Sequence, residues 1–190
     1  MKKVKLEDVA EIQVGYPSKG TIRNEKNGTH FIIQAKDIDF NGKISENDLI
    51  QFIPDRNPDL YLINKDDILF QARGSLHVAV YIDQDISRSI ASSTFYVIKT
   101  KSRELRPGYL SWWLNQPSAQ SFFKSEGSAT VISFVSKSTL SQIMIPLPSI
   151  DVQIKIEHIK QLLQKEQELM KRLIELREKL ATAVCINLTR

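Results

Sequence analysis

Three short segments combine basic side chains with small polar ones. They are Ser18-Lys19-Gly20-Thr21-Ile22-Arg23, Gln71-Ala72-Arg73-Gly74-Ser75-Leu76-His77, and the stretch 133–138 that carries Ser133 and Lys137. Such groups hydrogen-bond phosphate oxygens, and an arginine or glutamine among them matches the edge of a guanine or adenine in a major groove. The candidate binding residues are therefore Lys19, Arg23, Gln71, Arg73, Ser75, His77, Ser133 and Lys137. Arg73 is the most informative, because it follows an apolar run and stands in a glycine-bearing turn, where a guanidinium is held out on a rigid base. On residue type alone a surface arginine in a local ion pair is the plainer reading of Arg73. Lys19, Arg23 and Lys26 would equally serve to solubilise a turn.

Catalytic patterns are missing. There is no Gly-x-x-x-x-Gly-Lys-Ser/Thr phosphate loop, no Gly-x-Gly-x-x-Gly turn and no Gly-x-Ser-x-Gly elbow. His30, His77 and His158 are far apart and have no partner at metal-ligand spacing, so neither a metal nor a cofactor is expected. The pairs Asp37/Asp39, Asp66/Asp67 and Asp83/Asp85 are the residue type that holds Mg²⁺ in a nuclease, but acidic residues at turns more often face water. The lone Cys185 leaves no internal disulfide, which suits a reducing cytoplasm. No apolar run approaches the roughly 18 residues of a membrane span. The basic start Met1-Lys2-Lys3-Val4-Lys5 is followed by Glu7, Asp8 and Glu11 before any signal core can form. Lys and Arg number 26 against 22 Asp and Glu, a net +4, which permits binding to a polyanion without demanding it.

The elements that must position these groups fall into two parts within 190 residues. The composition changes at Ile145-Pro146-Leu147-Pro148-Ser149, beyond which neither glycine nor proline occurs. The paired prolines force an extended backbone, and Ser149 followed by Asp151 suits the start of a helix. The expected division is a globular part over 1–148 and a long helix over 149–190. In the helix, Ile159, Glu166, Leu173 and Leu180 alternate with Leu162, Leu169, Leu176 and Ala183 in a seven-residue repeat, broken in polarity only by Glu166. Leu163, Met170 and Val184 widen the stripe, while Lys160, Gln164, Lys171, Glu175 and Glu178 occupy the opposite face. A helix of about 35 residues is about 50 Å long, more than the width of a domain of this size, so an intermolecular coiled coil is expected.

The globular part reads as mixed α and β. Leu6, Val9 and Ala10 have helical spacing and suggest an opening helix that ends near Gly15. Strands are expected over 29–34, 67–71, 76–82 and 93–99, with turns at Gly28, Asn41-Gly42 and Gly74. Helices are expected over 107–115 and 117–125, the second stopped by Gly127. Tyr109, Trp112, Trp113, Phe122 and Phe123 then pack between helices and sheet. The fold class is α+β, a mixed domain followed by a long coiled-coil helix.

The order of these features resembles a known family. The opening Val4-Lys5-Leu6-Glu7-Asp8-Val9-Ala10-Glu11-Ile12, then Asp67-Ile68-Leu69-Phe70 with Arg73-Gly74, then Ile143-Met144-Ile145-Pro146-Leu147-Pro148-Ser149-Ile150 with Gln153 and Ile156, resemble the DNA specificity subunits of type I restriction-modification systems. A complete subunit of that family carries two target recognition domains and two long helices. This chain, with one of each, resembles half of one. The resemblance implies a non-catalytic reader of double-stranded DNA that serves methyltransferase and restriction subunits. It implies two copies joined through antiparallel helices and an interrupted palindrome as the target. Ile159, Leu162, Leu163, Leu169, Met170, Leu173, Leu176 and Leu180 would form the dimer and partner face. Two other readings stay open: a coiled-coil interaction protein that has lost sequence-specific DNA binding, and a small Mg²⁺-dependent nuclease.

Overall fold

Ala10-Glu11-Ile12-Gln13-Val14 alternates with the period of a strand, and this alternation decides the opening of the chain. The computed structural model describes residues 2–39, 42–45, 48–74, 77–126 and 134–189. Its elements run β1 (Lys3–Lys5), α1 (Leu6–Val9), β2 (Ala10–Val14), β3 (His30–Ile33), β4 (Ile50–Phe52), β5 (Ile68–Gln71), β6 (Ala79–Tyr81), β7 (Ser89–Ala91), β8 (Phe95–Thr100), α2 (Pro107–Leu114), α3 (Pro117–Glu126), α4 (Lys137–Gln142), β9 (Met144–Pro146) and α5 (Ile150–Leu188). The expected opening helix is corrected to a single turn. Ala10 already has extended dihedrals (φ −145°, ψ 158°), and Ala10 and Ile12 enter the core from one face of β2. The other expected strands and helices are present as β3, β5, β6, β8, α2 and α3. Gly127 lies outside the described residues.

Two sheets carry the domain. One is antiparallel in the order β2-β8-β5-β6, and the other is β4-β3-β7, in which β3 and β7 run parallel. Val14 stands opposite Tyr96 and Gln71 opposite Phe95, so the outgoing ends of β2 and β5 meet the incoming end of β8 at one end of the sheet. The chain leaves the first sheet for the second at Gly15. The Gly15 N–H donates to the Phe95 carbonyl (3.0 Å) and the Tyr16 N–H to that of Ala91 (2.7 Å). A Cβ at Gly15 would lie 2.2 Å from the Ser92 carbonyl oxygen, so no side chain fits there. Successive residues of β3 feed different cores: Ile33 packs with Leu69, Val80, Phe95 and Val97, and Ile32 with Tyr16, Phe52 and Ile90.

Side chains from α2 finish the edge of the larger sheet. Ser111 and Asn115 donate to the Ala79 carbonyl at 3.0 and 2.7 Å, and the Ala79 N–H donates to Asn115 Oδ1 at 3.0 Å. An amide thereby takes the place of a neighbouring strand. At the front of β5, Asp67 is 5% exposed, accepts from the Asn64 N–H (2.9 Å) and lies 3.6 Å from Lys99 Nζ. Burial pushes its carboxyl above the usual value of 3.8, against the opposing pull of that N–H and of Lys99.

The chain start and the end of the domain are tied together. β1 pairs antiparallel with β9, Lys3 opposite Pro146 and Lys5 opposite Met144, and Tyr109 donates to the Pro146 carbonyl (2.7 Å). Helix α5 opens where the Ser149 carbonyl accepts the N–H groups of Val152 and Gln153. Its first turn belongs to the globular unit, which comprises Met1–Ile154. Gln153 is fully buried: Nε2 donates to the Glu104 carbonyl (2.8 Å) and the Pro148 carbonyl (3.0 Å), and Oε1 accepts from the Arg106 N–H (2.9 Å). Lys155–Arg190 form the second unit, a helix on which Ile159, Leu162, Leu163, Leu169, Met170, Leu173, Leu176 and Leu180 are 48–68% exposed.

Gln153→Ala strands one N–H and two carbonyls without their partner, and chemical denaturation is expected to show a loss of about 2–4 kcal/mol. Asp67 supplies a pH test. Its folded carboxyl holds the proton more tightly than the unfolded one, so stability falls as pH rises from 3.8 through the raised value, and the loss is complete above it. Asp67→Asn is expected to flatten that slope in denaturation curves measured across the acidic range, and an unchanged slope would assign it to other groups.

Candidate nucleic-acid interface

The sheet-end arrangement gathers part of the expected site. Arg73 follows β5 and forms an isolated antiparallel bridge with Phe134, and its guanidinium carbon lies 5.2 Å from the centroid of the Phe134 ring. Gln71 Nε2 donates to the Arg73 carbonyl at 3.0 Å. Ala72 between them donates to the Thr94 carbonyl (2.9 Å) and accepts from the Val135 N–H (3.0 Å). Gly74, at φ 136°, then turns the chain with a dihedral that side chains avoid. Lys137 is exposed at the start of α4, whose cap Ser136 accepts from the Thr139 N–H at 2.9 Å. Beneath this group lies the buried Tyr96. Burial raises its hydroxyl, while the charge of Arg73 and the backbone N–H of Lys137 pull it the other way. Gln71, Arg73 and Lys137 therefore stand together, joined by Phe134 and Tyr96, which residue types alone did not single out. Phe134 was legible only as an aromatic stranded among serines and Tyr96 only as a strand residue.

Lys19 and Arg23 lie exposed on a second loop with a different anchor. The Tyr16 hydroxyl donates to Asp55 Oδ1 and accepts the N–H groups of Asp55 (2.7 Å) and Arg56 (3.2 Å), and Asp55 Oδ2 in turn accepts the Lys19 N–H (3.2 Å). The Tyr16 ring meets Phe52 and Tyr61 edge-on at 5.7 and 5.3 Å. The hydrogen bond from Tyr16 is the main influence holding the Asp55 carboxyl below its ordinary value, and burial raises the Tyr16 hydroxyl.

His77 is corrected from a surface donor to a core residue. It is 3% exposed, stacked on Phe70 at 6.1 Å, with Nδ1 donating its proton to the Gln71 carbonyl at 3.0 Å. Ser75 and Ser133 lie outside the described residues. The plainer reading of Arg73 is not met, since no carboxylate among the described residues forms an ion pair with it. Members of the acidic pairs are held by hydrogen bonds: Asp37 accepts from the Gln34 N–H and Asp39 from that of Lys43 within turns, while Asp85 accepts from the Lys65 N–H and Asp66 from the Tyr81 hydroxyl across the fold. Among the described residues no three His, Cys, Asp or Glu side chains converge as a metal site, and no helix is long and apolar enough to cross a membrane.

Cationic groups are thus exposed near strand ends, and the C-terminal helix carries an exposed apolar heptad stripe. A family model described as the type I restriction modification DNA specificity domain matches residues 1–178, and the chain belongs to that family. Its fold is similar to that of the type I restriction-modification S subunit from M. genitalium, with a TM-score of 0.63 at 16% identity over 94% of this chain and 42% of that one. It is similar to the HsdS subunit from Thermoanaerobacter tengcongensis, with a TM-score of 0.64 at 15% identity over 90% and 39% of the two chains. A chain from a structure of type I system assembly and conformational transition gives 0.65 at 16% over 90% and 40%. At these identities the likeness is one of fold, and the chain spans about two-fifths of the length of those it matches. No curated protein matches it.

The second loop offers a test of its own anchor. Tyr16→Phe removes one donor and releases two backbone N–H groups on exposed residues to water, with an expected cost of about 0.5–1.5 kcal/mol. In a carboxylate titration followed by NMR, Asp55 should move back up toward its ordinary value. An unmoved Asp55 would place the cause elsewhere.

Proposed function

We propose that this chain is the DNA-reading part of a type I restriction-modification system, non-catalytic itself and acting in the cytoplasm. The membership of residues 1–178 in the specificity-domain family carries the reading. The loop groups support it: Arg73 and Gln71 suit base edges, and Lys19, Arg23 and Lys137 suit phosphates. Methyltransferase and restriction subunits supply the chemistry and are brought to the site by this chain. Two copies pair through α5 in antiparallel orientation, placing two identical readers on an interrupted palindrome.

The exposed apolar stripe supports the pairing, and magnitudes decide its strength. Each Leu, Ile or Met fully removed from water contributes about 1.5–3 kcal/mol. Against this, Lys165, Arg172 and Lys179 line the flank beside Leu162, Leu169 and Leu176, and an antiparallel pair sets this flank against its own copy. Repulsion between exposed like charges costs only a few tenths of a kcal/mol per pair, so burial dominates. Salt then acts in opposite senses, weakening DNA binding by counterion release and tightening the helix pair by screening.

The test is selection of bound duplexes from a random pool by the full chain with its methyltransferase subunit, alongside sedimentation of the chain at low and high salt. Enrichment of an interrupted palindrome with constant spacing is expected, with dimer mass growing as salt rises. One unrepeated motif would overturn the paired arrangement while keeping DNA reading. No enriched sequence beside a stable dimer would favour a coiled-coil interaction protein.

A further inference from the structure

We infer that Arg73 reads a guanine, and that Phe134 is the residue that positions it for this. The inference rests on the DNA-reading function proposed above and assigns a base class to one side chain. The backbone on which Arg73 stands is held from three directions: the Gln71 amide on its carbonyl, the bond of Ala72 to Thr94, and the bond of Val135 to Ala72 that makes the bridge to Phe134. The Phe134 ring, 36% exposed, takes the guanidinium at 5.2 Å from its centroid.

A guanidinium held over an aromatic ring by electrostatic attraction keeps N–H donors for a further acceptor. No carboxylate among the described residues claims those donors. The guanidinium fork matches two acceptors side by side, and in a major groove that pair is O6 and N7 of guanine. A phosphate also accepts an arginine in two bonds, but the exposed Lys137 near by supplies a cation for that purpose. Arg73 is therefore assigned to the base and Lys137 to the phosphate.

The experiment compares wild type, Arg73→Gln, Arg73→Lys and Phe134→Leu in duplex selection, each as the full chain with the methyltransferase subunit and each checked for an unchanged thermal melt. Wild type is expected to enrich a guanine at one position of the half-site. Arg73→Gln and Arg73→Lys should lose discrimination at that position alone, by about 5- to 150-fold, while the remaining positions persist. Phe134→Leu should keep the guanine and lose part of the discrimination, which a merely structural role for the ring would not produce. A uniform loss of affinity with every position retained would reassign Arg73 to phosphate and overturn the inference, as would a guanine preference untouched by all three variants. A wild-type chain that enriches nothing would overturn the underlying DNA-reading function as well.

Discussion

Gln153 is a neutral amide with all of its main bonding capacity directed at backbone, and it sits where the long helix begins. It gathers the Glu104 carbonyl, the Arg106 N–H and the Pro148 carbonyl into one buried knot. The approach to α2 and the run from β9 into α5 are thereby fixed to each other. β9 in turn holds β1, so the beginning of the domain is registered against its end. A charged or shorter residue at this point would leave polar groups without water or partner, and each such group is costly in a protein interior.

From that knot outward, the positions of the loops follow from strand direction. Because β2 and β5 both run toward the end at which β8 starts, the segments after them emerge side by side without any side chain having to bring them there. Gly15 then passes the chain to the second sheet at a separation that admits no Cβ. The segment carrying Lys19 consequently travels to the Tyr16 and Asp55 anchor, while Arg73 remains above Tyr96. The basic groups sit on two differently supported loops, one held mainly through a side-chain hydroxyl and the other mainly through backbone bonds.

How much of this was legible in the sequence depends on the length over which each signal repeats. Helix α5 shows itself through some forty residues without glycine or proline and a sustained heptad. β3, β5 and β8 show through clusters of Ile, Phe, Val and Tyr. β1 and β9 contain three residues each, less than two strand periods, and they find each other across most of the chain, so pattern alone cannot reveal them. His77 illustrates a different limit. Its type suited a surface contact, yet the ring stacks on Phe70 and meets Phe123 edge-on, and its Nδ1 is satisfied by a carbonyl that no local pattern announces. Arg73 was legible as a residue of interest, whereas the ring that supports it comes from a segment sixty residues away and becomes its neighbour only through the fold.

The backbone beneath Arg73 is held mostly by main-chain bonds, from Ala72 to Thr94 and from Val135 to Ala72, the second of which makes the bridge to Phe134. Such bonds are indifferent to the identity of the side chain they present. A side chain on such a base can be exchanged without disturbing the core, so the scaffold sets where a contact is made and leaves its chemistry to the residue presented. The main-chain lattice at the sheet end is, in that sense, a socket.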